Sequence, residues 1–538
     1  MKLIYKKERI YVKPAFTGFI LLLAILFGGC VKLDEEVYSE VLEETFTATE
    51  ADVTALIASG YTPLRYIMGW QGLFDLQEEP GDVMITPTRP NGWDDAGTYK
   101  RMHFHTWDNE QWQCRNTWLT CYEAINNVNR VMLQIQSGSL PIEEEQSVKV
   151  LAELRALRAL WYSILCDTHG NVPLVIAYSD ELPVQSSRAD VYKFIVDELT
   201  DIDVIENLTE VVDPSTYGRI TKWAAYQLLA RMYLNAEVYS GTAEWEKCIL
   251  ACNKVISCEK YDLESNYKDI FKVDNEACNE IVFAVPYDNK NGTGWNAHMK
   301  QLLPAHRDVF NMTAQPWGGS SANPQFINSY DPQDKRFDAT WLHGDQLNAT
   351  DGSVVMTLVN KMPSIYDCEF EEGYRVCKYE IEAGCKSNMS NDLPYFRYAD
   401  VLLMKAECLL RTGKSDEAAV LVSDVRTRDF DDINDAKVTG AELLGNTTIQ
   451  YGTLAEDGAI DSPGDQSAVL YGRFLDELGW EFAAEFRRRT DMIRFGVYQT
   501  KSWYNHEPQG AHTILFPIGL EELNTNSNLV QNPGYTGG

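Results

Sequence analysis

The sequence predicts a mostly α protein: a tetratricopeptide-like, right-handed helical scaffold carrying large loop-rich insertions and a few short strands. Three observations predict it. Between Leu393 and Asp429 two apolar helical stripes flank a glycine turn. The same small-residue spacing recurs, degraded, earlier in the chain. Across about 130 residues, from Tyr261 to Asn391, the helical period fades into Asn, Gly, Pro, Asp and aromatics.

The 393–429 stretch is the most legible. Tyr398, Val401, Leu402, Ala406, Leu409 and Leu410 recur at three- and four-residue steps, and Ala418, Leu421, Val422 and Val425 repeat the pattern. Gly413 is the expected left-handed C′ residue and Ser415 the expected N-cap. Ala406 and Ala418 sit where paired helices approach closely in a tetratricopeptide repeat.

Towards the N-terminus, a helix is expected from Thr47 to about Met68. Gly72, Pro80, Gly81, Pro87, Pro90, Gly92 and Gly97 then break any long element across 70–110. Helix pairs follow over about 111–258: one from Gln111 and from Glu143 to Thr168, another over 188–206 and 219–238, then Trp245–Ile256. In the last of these Ala230 and Cys248 take the small-residue positions. Glu280–Pro286 reads as a strand, 429–466 as irregular, and 468–497 as helix before a short extended tail. Stacked pairs of this kind bury each helical face on the next.

The first 29 residues read as an export signal. Lys2, Lys6, Lys7, Arg9 and Lys13 precede the apolar run Phe19–Phe27, which ends in Gly28-Gly29-Cys30. The run is short for a membrane span and ends in small residues. The Gly-Gly-Cys junction resembles a bacterial lipobox, with Phe27 where leucine is usual, so Cys30 is the expected lipidation site; an ordinary signal with an incidental cysteine is the alternative. Residues 30–47 then form a tether, acidic at Asp34-Glu-Glu36, and 48–538 the folded domain.

Charge narrows the partners. The formal net charge is −32, and the signal carries five basic residues against one acidic, so the remainder is more acidic still. Such a surface repels phosphate backbones and disfavours nucleic-acid binding. The cysteines do not form a disulfide framework: Cys114 and Cys121 lie seven apart on an expected helix, beyond disulfide reach. One bridge among Cys368, Cys377 and Cys385 stays open, and no CxxC pair exists to hold zinc. His103 and His105 would share a face if on a strand, but no further ligands converge, and no metal or cofactor is expected.

Catalytic signatures are lacking. No Ser-His-Asp elbow, phosphate loop or HExxH motif is present. Glu485, Arg488, Asp491 and Arg494 recur every three residues and are read as alternating ion pairs along one helix ridge. Among 79 carboxylates a glycosidase pair cannot be dismissed by counting, but most lie on solvated faces or in loops, so no enzyme is expected.

Seven motifs in order along the chain resemble the SusD/RagB family of nutrient-binding outer-membrane lipoproteins. They are Gly29-Cys30; Leu157–Tyr162 leading to His169–Val175; Gly218–Lys222; Arg397–Leu403; Glu485–Gly496; Leu515–Ile518; and Leu529–Tyr535. Gly519 departs from the proline common after Pro-Ile. The resemblance implies a tetratricopeptide-like scaffold facing a SusC-like TonB-dependent outer-membrane channel. It also implies a lipid anchor at Cys30, surface exposure on the outer membrane, and ligand held by aromatics from loops at about 70–110 and 261–391. The implied ligand is an oligosaccharide, with a peptide or other nutrient, or a secreted glycoside hydrolase, as alternatives. Sugar rings pack C–H faces on aromatics and pair hydroxyls with Asp, Asn and Arg. On that chemistry the candidate contacts are Trp93, Asp82, Arg89, Asn91, Asp95 and Tyr99 in the first loop, and Trp295, Asn296 and Trp317 in the second. Trp93 and Trp295, flanked by Gly and Asn, are the leading pair.

Overall fold

The computed structural model describes residues 50–140, 142–179 and 181–536. The signal, Cys30 and the tether therefore lie outside the described residues. Helix α1 spans Glu50–Ile67, and the short α2, Leu73–Glu78, follows a turn. A two-residue strand β1, Met84–Ile85, and the short α3, Thr98–His103, punctuate the first loop. Then come the long helices α4 (Trp112–Gln136) and α5 (Glu144–Thr168), followed by α6 (Arg188–Thr200), α7 (Lys222–Leu234) and α8 (Trp245–Ile256).

The second loop region opens with strand β2 (Ile281–Val285), and carries α9 (Ala297–Gln301) and β3 (Ser321–Ala322). It closes with β4, Leu393–Arg397. Helices α10 (Tyr398–Arg411), α11 (Ser415–Arg426), α12 (Gly472–Phe482) and α13 (Arg488–Arg494) complete the scaffold. Sheets stay small: β1 pairs antiparallel with β3, and β2 with β4, and among the described residues no sheet closes.

The long helices pack in chain order, α4 on α5, α5 on α6, α7 on α8, α8 on α10 and α10 on α11. The close approaches fall where small residues sit: Ala230, Cys248, Ala406 and Ala418 are all fully buried. Gly413 adopts φ +80° after α10, as expected of a left-handed cap. All eleven cysteines among the described residues are free, Cys368, Cys377 and Cys385 included. Among the described residues no helix is long and apolar enough to cross a membrane.

Three local expectations change. The first five residues of the 393–429 stretch are a strand rather than a helix, because Leu393–Arg397 pairs with β2 through backbone hydrogen bonds. Ser415 is the first helical residue, with Lys414 at the cap. The helix expected over 468–497 is broken between Phe482 and Arg488, where Ala484 and Phe486 both take φ +62°.

That break separates Glu485 from the ridge it was expected to share with Arg488, Asp491 and Arg494. These side chains are ion-paired, but mostly with partners from elsewhere. Glu485 meets Lys378 and, at 2.7 Å, Arg397; Arg488 meets Asp82 at 2.6 Å; Arg494 meets Glu407 at 2.7 Å. Within the motif, Asp491 pairs with Arg494 at 2.7 Å and with Arg487 at 2.8 Å.

Candidate ligand-binding site

The two loop regions meet because buried charge ties them together. Lys300 on α9 donates to Asp75 (2.7 Å) and Glu79 (2.6 Å) at the end of α2. All three side chains are essentially inaccessible to solvent. Glu79 also accepts from Thr86 (2.8 Å) and Ser320 (3.1 Å), so both loops contribute to one network. Burial works against the Lys300 ammonium, but the two carboxylates outweigh it and its pKa is raised. The ammonium lies 4.0 Å from the centroid of the Tyr99 ring.

Three half-buried tryptophans stand around this floor. Trp70, in the turn after α1, and Trp317, in the loop after α9, have ring centroids 4.7 Å apart at an interplanar angle of 57°. Trp93 lies over Gly319 and beside Tyr99, with centroids 5.6 Å apart. The absence of a side chain at Gly319 matters: a Cβ there would lie 2.9 Å from Trp93 Cη2 and 3.0 Å from the Lys300 carbonyl.

The polar groups knit the aromatics together. Asn91 Nδ2 donates to the Trp317 carbonyl at 3.3 Å, and its Oδ1 accepts from the Trp93 amide at 3.2 Å. Asn296 Oδ1 accepts from the Trp70 amide at 3.4 Å. Trp317 is anchored by its amide to the Met299 carbonyl at 2.7 Å. Beside Trp93, Asp94, Asp95, Ala96 and Gly97 form a tight turn. Asp94 Oδ1 accepts from the Gly97 amide at 2.8 Å, and Asp95, Ala96 and Gly97 all have positive φ. Partial burial, with further push from Asp75 and Asp94 against the pull of Lys300, raises the Asp95 carboxyl above its ordinary range.

Of the nine residues proposed from sequence, the structure gathers Asn91, Trp93, Asp95, Asn296 and Trp317 into this cradle. Tyr99 is beneath it, only 1% exposed. The other three lie away from any accessible surface. Trp295 is 1% exposed and packs edge-on against Tyr379, with centroids 4.7 Å apart. Asp82 is fully buried, held by Arg488 and by the Tyr451 hydroxyl at 2.7 Å. Arg89 is buried among the Glu369 and Glu372 carbonyls and Ser321, and burial lowers its pKa. All three are enclosed by protein: the Asp82 oxygens and the Arg89 terminal nitrogens are engaged, and the Trp295 ring is covered. Sequence reasoning missed Trp70. Its signal was present in Gly69-Trp70-Gln71-Gly72, the flanking pattern that had favoured Trp93.

His103 and His105 do not lie on a strand: one ends α3 and the other takes φ +53°. With His506 they form a buried ring cluster, His105 and His506 having centroids 4.1 Å apart. Burial pushes all three imidazoles down, His506 to about 3. Among the described residues no group of three or more His, Cys, Asp or Glu side chains is placed to hold a metal ion.

Two family models match this chain in tandem. Residues 33–234 match a family described as starch-binding associating with outer membrane, and residues 279–513 match the SusD family. The chain belongs to the SusD family. Among curated relatives, SusD-like protein P25 of Formosa agariphila is 24% identical across 94% of this chain and 95% of its own length. Starch-binding protein SusD of Bacteroides thetaiotaomicron is 25% identical across 73% of this chain and 74% of its own. Solved structures share the fold. A SusD-like protein from Bacteroides fragilis superposes with a TM-score of 0.69 at 20% identity, covering 92% of this chain and 99% of that one. Surface glycan-binding protein A from Bacteroides thetaiotaomicron, solved with laminarihexaose, gives 0.66 at 19% identity over 90% of this chain and all of that one. The tetratricopeptide-like scaffold expected from the repeat spacing is the fold of this family.

Proposed function

We propose that this SusD-family chain is a non-enzymatic, cell-surface binding lipoprotein that captures an oligosaccharide and delivers it to a TonB-dependent outer-membrane transporter. The observation that carries the reading is the cradle of Trp70, Trp93 and Trp317, three half-buried rings from two distant loops set on a rigid floor. Indole faces pack against the C–H faces of pyranose rings, and the tilt between Trp70 and Trp317 suits a curved or twisted chain better than a flat one. Relatives named for starch and laminarihexaose support a glycan as the ligand class.

Binding rather than hydrolysis is favoured by the state of the carboxylates. Asp75 and Glu79 are sealed below the cradle on Lys300, and Asp94 is held by Lys100 at 2.8 Å, which leaves Asp95 without a second unengaged carboxylate among these four for a hydrolytic pair. Transport partnership rests on the family and on the lipobox-like Gly29-Cys30, which would anchor the chain by acyl groups.

Retention on polysaccharide gels tests the binding reading. The wild type should be retarded on at least one glycan, and Trp93→Ala and Trp317→Ala should abolish retardation while the exposed control Tyr178→Ala does not. Unchanged retardation in both tryptophan variants would refute the site, and released reducing ends would refute binding without catalysis. Cys30→Ala should release the protein from membranes with its fold intact; continued retention would refute the anchor.

A further inference from the structure

We infer that the cradle is selective for uncharged oligosaccharides and discriminates against uronate- or sulfate-bearing ones. The inference rests on the glycan-binding reading above and adds the charge class of the ligand.

The first ground is the fate of the cations that reach the cradle. Lys300 is enclosed beneath it by Asp75, Glu79 and the Tyr99 ring, with its side chain 1% exposed. One ammonium between two carboxylates leaves that floor net negative. Lys100 is held by Asp94 at 2.8 Å and by Thr88. Arg101 turns to the Ala96 carbonyl at 2.8 Å and to Gln111 at 3.2 Å. Lys300 and Lys100 are thus neutralised by carboxylates, and Arg101 has its Nε and Nη1 engaged by neutral acceptors. An anionic sugar held there would find Arg101 as the one of these three cations not already paired with a carboxylate, and the desolvated carboxylates nearby would repel it.

The second ground is Asp95. Its Oδ2 is buried and has no hydrogen-bond partner within the protein. Asp95, Ala96 and Gly97 all take positive φ, which fixes the course of this tight turn two residues after Trp93. A carboxylate oxygen in that position needs a donor. A sugar hydroxyl supplies one; a uronate carboxylate or a sulfate group placed there would supply only further acceptors. The formal charge of −32 over the whole chain acts in the same direction at longer range.

The test is calorimetric titration of the full protein with oligosaccharides of equal length: neutral hexose chains of several linkages, oligouronates and sulfated chains, at low and high salt. At least one neutral chain should bind with an affinity that changes less than about twofold with salt, because no ion pair is screened. Uronate and sulfated chains should bind at least about tenfold more weakly at low salt. Asp95→Asn should narrow that gap by raising uronate affinity. Uronates binding as tightly as neutral chains, with affinity falling as salt rises, would overturn the inference; loss of that binding in Arg101→Gln would identify the cation responsible. If such binding is still lost in Trp93→Ala, the cradle stands and only the charge assignment falls. If no chain of any class binds, or Trp93→Ala leaves binding intact, the glycan reading fails and the inference with it.

Discussion

Gly319→Ala is a one-carbon perturbation that reads the cradle directly. The added Cβ would sit 2.9 Å from Trp93 Cη2 and 3.0 Å from the Lys300 carbonyl. Comfortable carbon–carbon separations are about 3.5–4.0 Å, so the indole must move outward by roughly 1 Å. The Lys300 carbonyl cannot yield as easily, because it accepts from the Gly319 amide at 2.8 Å while Lys300 itself is pinned below. A ring displaced that far loses much of its packing on a sugar face. With about 25 cal/mol per Å² over some tens of Å², plus a specific stacking term, the loss is about 1–2 kcal/mol, roughly five- to thirtyfold in Kd. Stability should fall modestly, because the close Cβ contacts outweigh the about 0.4–1 kcal/mol that replacing a glycine contributes through the unfolded chain. Titration calorimetry of the wild type, Gly319→Ala, Trp93→Ala and the double variant supplies the assay. Gly319→Ala should have no further effect once Trp93 is gone. Full affinity in the single variant, or an equal loss in the Trp93→Ala background, would refute the placement of Trp93 over Gly319 as the ligand face.

Three further outcomes follow from the buried charges and the core. Arg397→Met should cost about 3–5 kcal/mol in denaturant unfolding, because Arg397 contacts Glu280, Glu481 and Glu485 in a solvent-free cluster and its loss leaves excess negative charge; a cost below about 1 kcal/mol would contradict that role. Burial pushes the Glu78 carboxyl up to about 7, so its contribution to stability is greatest below the unfolded value near 4.5 and is lost as pH rises through 7. Glu78→Gln should therefore gain on the wild type by up to about 3 kcal/mol between pH 5 and pH 8, and a pH-independent difference would show the carboxylate is not so perturbed. Trp295→Ala should cost about 3–5 kcal/mol as a core deletion, and where the variant still folds its ligand affinity should be unchanged; selective loss of binding at full stability would return Trp295 to the site.

The scaffold was legible because helix packing writes itself into local spacing. Ala406, Gly413 and Ala418 are read within one window, and each behaves as that window implies. Strand β4 was less so, because Leu393–Arg397 is extended only through its partner 112 residues earlier, a contact no local period reveals. The cradle was half legible for the same reason. Flanking glycine and asparagine identified loop tryptophans, but exposure depends on what packs above them. Trp93 rests on Gly319 and stays half-buried, whereas Trp295, in an equally glycine-rich setting, is closed over by Tyr287 and Tyr379. Arg89 and Asp82 looked like ligand-facing polar residues because their partners, Ser321 and Arg488, lie hundreds of residues downstream.

Those distant partners also explain how an irregular region can hold a defined site. Loops stabilised only by turns would leave Trp70, Trp93 and Trp317 mobile, and ordering them would oppose binding at about 0.5–1.5 kcal/mol per side chain. Here the loops are fixed by buried charge instead. Lys300 draws the second loop onto α2, Asp82 ties the first to Arg488 on α13, and Arg397 and Lys378 converge on the broken segment around Glu485. Such pairs contribute little net stability, because desolvation offsets most of the attraction. Their value is geometric, since a carboxylate buried at 0% exposure needs its partners held in fixed positions. The break between α12 and α13 acquires a reason on this view. A continuous helix would carry Glu485 round the ridge with Arg488, whereas the left-handed residues Ala484 and Phe486 release it towards Lys378 and Arg397 while Arg488 reaches Asp82. The Glu485–Gly496 motif thus clamps the helical scaffold to the two loop regions.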